Sequence, residues 1–272
     1  MRLIRRLLLA FQFLTVVPVR VGGDVTEKDV AGSAVFFPLV GAFQGLLTAV
    51  PAFLITRVWP ADIAAGLAMV CLILSNNGFD LDGLADTFDG LAVKSSGHAE
   101  KDREKRLAVM RDSATGAMGV IALIVIILLK FILMRRLLSD FSVLCASALF
   151  FLMPAFSKWI TVPAMLHGVS ARRDGLGKAF VEHTGPADAA VSTLMLLLLF
   201  VPMALVGLIG PSPLNSFEMG IFLLFAGYLF SLLAVRFLKR MFGGLTGDHL
   251  GALTELFEVF FLLAAYGWLR RS

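Results

Sequence analysis

The sequence predicts an all-α, polytopic membrane helix bundle, and three observations carry that prediction. Apolar residues fill 58% of the 272 positions and charged residues only 16%, against roughly 45–50% and about 25% in soluble domains. Mean hydropathy is +0.86. The apolar residues also gather in runs, several of which supply the ~20 residues that a helix needs to cross a bilayer. A chain of this kind needs lipid as its solvent.

The elements follow in order. The N-terminal stretch MRLIRRLLLAFQFLTVVPV starts basic and continues apolar, as a signal peptide does. It lacks a small-x-small cleavage site before Pro18, so it is expected to stay in the mature protein. Arg2, Arg5 and Arg6 beside Leu and Phe read as an amphipathic helix, interfacial or re-entrant. About seven transmembrane helices are expected after it, near 31–56, 60–78, 115–134, 143–166, 188–209, 217–238 and 250–268. Pro38 and Pro51 predict a kinked or split first span, which neighbouring groups must satisfy. Ser75, Asn76 and Asn77 make the end of the second span polar and predict that it packs against protein. No repeat or linker divides the chain, so 1–272 reads as a single integral-membrane domain. Cys71 and Cys145 both lie in apolar runs, without metal spacing, and read as small buried hydrophobes.

Orientation follows from the basic residues. With the N-terminus inside, the inside segments hold 17 Lys and Arg and the outside segments 5, namely Arg57, Arg135, Arg136, Arg270 and Arg271. That bias predicts an N-terminus in the cytoplasm. It also accounts for the net charge of +4 without nucleic acid, and it places every unusual polar segment at the cytoplasmic face of a bacterial inner membrane.

The most informative of these segments is Asn76-Asn77-Gly78-Phe79-Asp80-Leu81-Asp82-Gly83-Leu84-Ala85-Asp86-Thr87-Phe88-Asp89-Gly90. On a helix, Asp82, Asp86 and Asp89 fall at i, i+4 and i+7 and share one stripe, while Asp80 points elsewhere. Three carboxylates on one face repel each other, the more so beside lipid. A divalent cation offsets that repulsion, and all-oxygen ligands suit Mg²⁺ or Mn²⁺ rather than zinc. Helix-capping aspartates at a solvated end would explain one or two of the four.

A second constellation runs from Gly243 and Gly244 through Thr246, Gly247 and Asp248 to Glu255 and Glu258. From 248 onward, Asp248, Glu255 and Glu258 share a helix face, and both glutamates fall inside an apolar span. Intramembrane carboxylates are costly and by default functional; the alternative is a structural ion pair with Lys130, Lys158 or Arg236. The glycine-rich loop before Asp248 suits a phosphate, held by backbone N–H groups at a helix start. The third piece, Arg103 to Gly116, brings basic residues and Asp112 and Ser113 to the same face of the membrane. A cation beside Arg and Lys is the usual provision for phosphoryl transfer. Of the four histidines only His249, next to Asp248, invites consideration.

At these residues the chain resembles the cobalamin synthase family, the adenosylcobinamide-GDP ribazoletransferases. The family pattern H-L-D-G-L-A-D-T-x-D-G is followed from Asp80 to Gly90, with Asp80 in place of His. A segment like M-K-D-S-x-x-G-x-x-G is matched by Met110, Arg111, Asp112, Ser113, Gly116 and Gly119, with Arg111 in place of Lys. A third, like G-G-x-T-G-D-x-L-G-A-x-x-E, is matched from Gly243 to Glu255. The opening from Phe13 to Val19 is also similar.

The resemblance implies a late step of coenzyme B12 assembly. α-Ribazole or its phosphate attacks the phosphate on the cobinamide arm of adenosylcobinamide-GDP, GMP leaves, and Mg²⁺ is required. It implies Asp82, Asp86 and Asp89 as metal ligands, and Asp248 or Glu255 as a further ligand or the proton acceptor. Arg111, Asp112, Ser113, Gly243, Gly244, Thr246 and Gly247 are then the substrate-binding residues. By family analogy alone it also suggests a complex with other late B12-assembly enzymes. Two rivals stand beside it. A CDP-alcohol phosphotransferase needs D-x-x-D-G-x-x-A-R, and Asp86 follows Ala85 where that pattern has Arg. A cation-coupled transporter would carry its acidic residues in matching halves of an inverted repeat, and none is visible.

Overall fold

The computed structural model describes residues 2–271 and is all-helical. An N-terminal helix α1 (Arg2–Leu14) and a short α2 (Glu27–Gly32) lead through one 3₁₀ turn into α3 (Phe37–Ile55). There follow α4 (Ala61–Ser75), α5 (Phe79–Ala92), α6 (Ala99–Val109), α7 (Ala117–Asp140), α8 (Val143–His167), α9 (Leu176–His183), α10 (Pro186–Leu205), α11 (Pro213–Phe242) and α12 (Gly247–Leu269). Among the described residues, six helical stretches are by themselves long and apolar enough to cross a membrane: the one ending in α3, then α7, α8, α10, α11 and α12.

The expected second span is a bent one: α4 and α5 are together long and apolar enough to cross a membrane, as a broken span or a re-entrant pair. Its straight part is 61–75, about 22 Å at 1.5 Å per residue. The chain then turns by 84° into α5. The corner is local chemistry: Asn77 and Gly78 take left-handed backbone angles (φ 55° and 72°), and the Asn76 side chain accepts the Gly78 N–H at 3.0 Å. A left-handed residue stops a helix, and Asn and Gly are the residues that tolerate it. α5 therefore runs across the end of the bundle at a steep angle to α4.

α8 is the central post and the most buried of the long helices. It packs on α3 at very short range, because a Cβ at Gly41 or Gly45 would fall 2.2 Å or 2.1 Å from the backbone oxygens of Pro154 and Phe151. Lipid tails give no hydrophobic drive for helices to associate, so such small-residue crossings and interhelical hydrogen bonds hold the bundle. The outward faces of α7 and α11 carry Ile121, Ile124, Leu128, Ile221 and Phe225, all exposed, as lipid requires. α1 is amphipathic as expected: Leu9 and Ala10 are buried while Leu3 and Ile4 are exposed.

Contacts sort the helix ends into two sets. At one end, Val16 bonds to Ser75, Leu245 pairs with the 169–171 loop, and α5 packs on the starts of α7 and α12. At the other, Tyr266 donates to Asp140 at 2.6 Å and Trp268 to Asn215 at 3.2 Å. All three sequence constellations gather at the first end.

Candidate active site

α5 is positioned by two close approaches. A Cβ at Gly83 would sit 2.5 Å from the Asp248 backbone oxygen, and one at Gly251 would sit 3.0 Å from the Asp80 Cα. The glycines of the first and second constellations thus let α5 cross the start of α12 nearly backbone to backbone. The crossing brings Asp86 within electrostatic reach of both Asp82 and Asp248.

The four aspartates of α5 divide into three roles. Asp80 is turned inward and buried, where it accepts hydrogen bonds from Lys158 Nζ at 2.5 Å and from Asn76 at 2.6 Å. Asp82 is exposed and Asp86 half-buried. Partial burial first, then the charges of Asp82, Asp248 and Asp89, push the Asp86 carboxyl from its ordinary 3.8 up to about 6, with Arg172 opposing them. Asp89 is engaged elsewhere: it accepts the N–H groups of Gly116 at 2.7 Å and Gly119 at 2.8 Å.

Gly116 and Gly119 are the N-cap and N3 positions of α7, and a glycine N-cap brings no side chain of its own. Asp89 caps that helix from a different element and places its charge at the positive end of the dipole. A Cβ at either glycine would fall 2.5 Å from an Asp89 oxygen, so the G-x-x-G spacing of the second segment exists to admit this carboxylate. Among the described residues no three His, Cys, Asp or Glu groups are set together to hold a metal ion. The two carboxylates left facing outward, Asp82 and Asp86, still suit Mg²⁺, which is usually held by one or two carboxylates plus substrate phosphates rather than by an all-protein cage.

The second constellation is split as well. Asp248 stays at the site, ion-paired with Arg172 at 3.0 Å and accepting from the Thr246 hydroxyl at 3.3 Å. Thr246 is the N-cap of α12, and Gly243 ends α11 in a left-handed turn. Gly244 packs on the 169–171 loop, where a Cβ would meet the Val169 oxygen at 2.2 Å. The expected phosphate loop is narrower than its sequence suggests. The Gly243, Leu245 and Thr246 N–H groups already bond to Lys239, Val169 and His249, leaving the first turn of α12 at Gly247 to face the cleft.

Glu255 and Glu258 lie deeper. They are buried and take hydrogen bonds from Lys130 at 2.6 and 2.8 Å, which is the structural ion pair weighed from sequence. His249 is wholly buried against Phe242, with ring centroids 4.4 Å apart, and has no place at the site.

Arg111, Asp112 and Ser113 are exposed at the end of α6. Arg111 reaches Asp174 at 3.3 Å across a cleft that also holds Arg172 and Arg173. Asp112 accepts the Ala114 N–H at 3.0 Å and shapes the turn before α7. Sequence reasoning missed Arg172 and Lys178, and it offered Lys158 to the intramembrane glutamates rather than to Asp80. The first two lay in the basic 167–187 segment, which had been read for topology alone.

A family profile described as cobalamin-5-phosphate synthase matches residues 6–266. The chain belongs to that family. It is 33% identical over 261 residues to the adenosylcobinamide-GDP ribazoletransferase of Thermodesulfovibrio yellowstonii, covering 96% of this chain and 95% of the relative. It is 34% identical over 263 residues to the protein of that name from Geotalea daltonii, covering 96% of each chain. It is 34% identical over 256 residues to the Escherichia coli protein of that name, covering 93% of this chain and 95% of the relative. No solved structure matches. Membership in the family sets aside the CDP-alcohol and transporter readings.

Proposed function

We propose that the chain is an adenosylcobinamide-GDP ribazoletransferase of the bacterial inner membrane, acting at the cytoplasmic face. A hydroxyl of α-ribazole or its phosphate attacks the phosphorus attached to the cobinamide arm. A new phosphorus–oxygen bond forms, the bond to the GMP phosphate oxygen breaks, and the hydroxyl proton passes to a carboxylate. The observation that carries the reading is the meeting of Asp86 with Asp82, with Asp248 and with Asp248's partner Arg172 at one end of an apolar bundle, in a chain aligned over nearly its whole length with enzymes of that name.

Asp82 and Asp86 are the proposed ligands of Mg²⁺, which when bound supplies charge neutralisation at the transferring phosphate. Asp248, fixed by Arg172 and Thr246, takes the hydroxyl proton. Arg111, Arg172 and Arg173 line the cleft for the departing GMP and stabilise its charge. Glu255 is held by Lys130 and supports α12 rather than the chemistry.

The test is GMP release by detergent-purified protein supplied with adenosylcobinamide-GDP, α-ribazole and Mg²⁺. Release should stop with EDTA, return with added Mg²⁺, and fall by about 100-fold or more in Asp82→Ala, the scale seen when one electrostatic contact to a transition state is removed. Release that is indifferent to EDTA and to Asp82→Ala would overturn the metal assignment. No release from folded protein would overturn the activity.

A further inference from the structure

Beside the carboxylates, a chamber of about 200 Å³ opens between α1, α5, α8, α9 and α12. Phe13, Phe37, Phe79, Phe180 and Leu250 form its walls, with the Phe13 and Phe37 rings edge-on to Phe180 at 5.9 and 5.4 Å. Its polar end is the buried Lys158–Asp80 pair. Leu176, Gly177 and Gly247 line both this chamber and the adjoining cleft that holds Arg172, Lys178 and Asp248.

We propose that this chamber binds the benzimidazole ring of the α-ribazole nucleophile, with the ribose directed through the gap at Gly177 and Gly247 toward Asp248. The proposal rests on the transferase reading and says where that enzyme holds one of its two substrates.

Size supports it. Drug-sized ligands occupy about 300–1,000 Å³, so 200 Å³ suits one fused bicyclic ring and excludes a corrinoid. Polarity chooses between the two bicyclic rings in the reaction. Guanine carries several donors and acceptors on its edges, and aromatic and aliphatic walls would leave most of them without partners at a high desolvation cost. A benzimidazole bonded to ribose through one nitrogen keeps a single acceptor, its other ring nitrogen. Lys158 carries three N–H donors, of which Asp80 takes one, so the chamber's polar end offers what that nitrogen needs. Edge-on phenylalanines present further aromatic surface to a flat ring.

The test combines one variant with one measurement on unaltered protein. Leu250→Trp fills the chamber from α12. It should raise KM for α-ribazole at least tenfold and leave KM for adenosylcobinamide-GDP within twofold. In the wild type, free benzimidazole should compete with α-ribazole and not with adenosylcobinamide-GDP. A rise in the KM for adenosylcobinamide-GDP instead, no change in either KM, or benzimidazole inhibition that is not competitive with α-ribazole would overturn the proposal. Equilibrium dialysis with labelled α-ribazole separates this outcome from failure of the transferase reading, since it needs no turnover. Retention by wild type that is lost in Leu250→Trp supports the chamber even if no GMP is released. Absence of retention by wild type overturns it.

Discussion

Asp89 offers the sharpest contrast between what its sequence position suggests and what its contacts do. In Asp89→Ala, α7 loses both acceptors at its start, from Gly116 and Gly119 at 2.7 and 2.8 Å. A hydrogen bond to a charged group is worth about 1.5–3 kcal/mol, and replacing an N-cap with Ala costs about 0.5–2 kcal/mol. The two bonds share one carboxylate and one helix end and are not additive, so a loss of about 2–3 kcal/mol is expected. Asp82 is exposed with no hydrogen-bonding partner of this kind, so Asp82→Ala should change stability by less than about 0.5 kcal/mol. Unfolding by SDS titration in mixed micelles measures the first quantity, and GMP release across a Mg²⁺ titration measures the second. Asp89→Ala should be the less stable protein with an unchanged Mg²⁺ requirement, and Asp82→Ala the stable one with Mg²⁺ dependence weakened or lost. Wild-type stability in Asp89→Ala, together with a raised Mg²⁺ requirement, would refute the capping role and return Asp89 to the ligand set.

Other consequences can be checked as directly. Lys130→Met leaves Glu255 and Glu258 buried without their cation and should cost about 3–5 kcal/mol, while Lys130→Met/Glu255→Gln/Glu258→Met should recover most of it; the same SDS titration reads both. Gly83→Ala pushes a methyl into the Asp248 backbone at 2.5 Å and should cost about 1–3 kcal/mol of overpacking. Its kcat should fall more than its KM values rise, because α5 and α12 are displaced. Asp86 is raised from 3.8 to about 6, so the folded chain holds this proton more tightly than the unfolded chain. The stability it confers is full below about pH 4 and is lost as pH rises through 6. Cation binding must displace that proton, so GMP release should climb through pH 6 and then level, with Asp82→Asn moving the midpoint lower by removing a repelling charge; a pH–rate profile without a step near 6 would count against this.

Fold class, the amphipathic first helix and the apolar spans were legible, though not the bend in the second, because lipid imposes a simple rule. A helix that satisfies its own backbone needs only length and apolar side chains to cross. Composition records both directly. The motifs were legible too, since Asp82, Asp86 and Asp248 stand out as charges at the ends of apolar runs. Helix periodicity assigned Asp82, Asp86 and Asp89 to one stripe, and it also set Asp80 apart from them. The intramembrane glutamates could be listed with their candidate cations, Lys130 among them.

Tertiary structure alone decided which of these charges meet. A stripe tells where a side chain points along its own helix, not what another helix brings to it. The 84° corner at Asn77 and Gly78 lays α5 across the bundle. That turn carries Asp80 to Lys158, Asp86 toward Asp248, and Asp89 to the start of α7. Residues that look equivalent along 79–92 thus take different roles, because they meet partners from 27 to 162 positions further along the chain, and sequence spacing carries no record of such distant pairings.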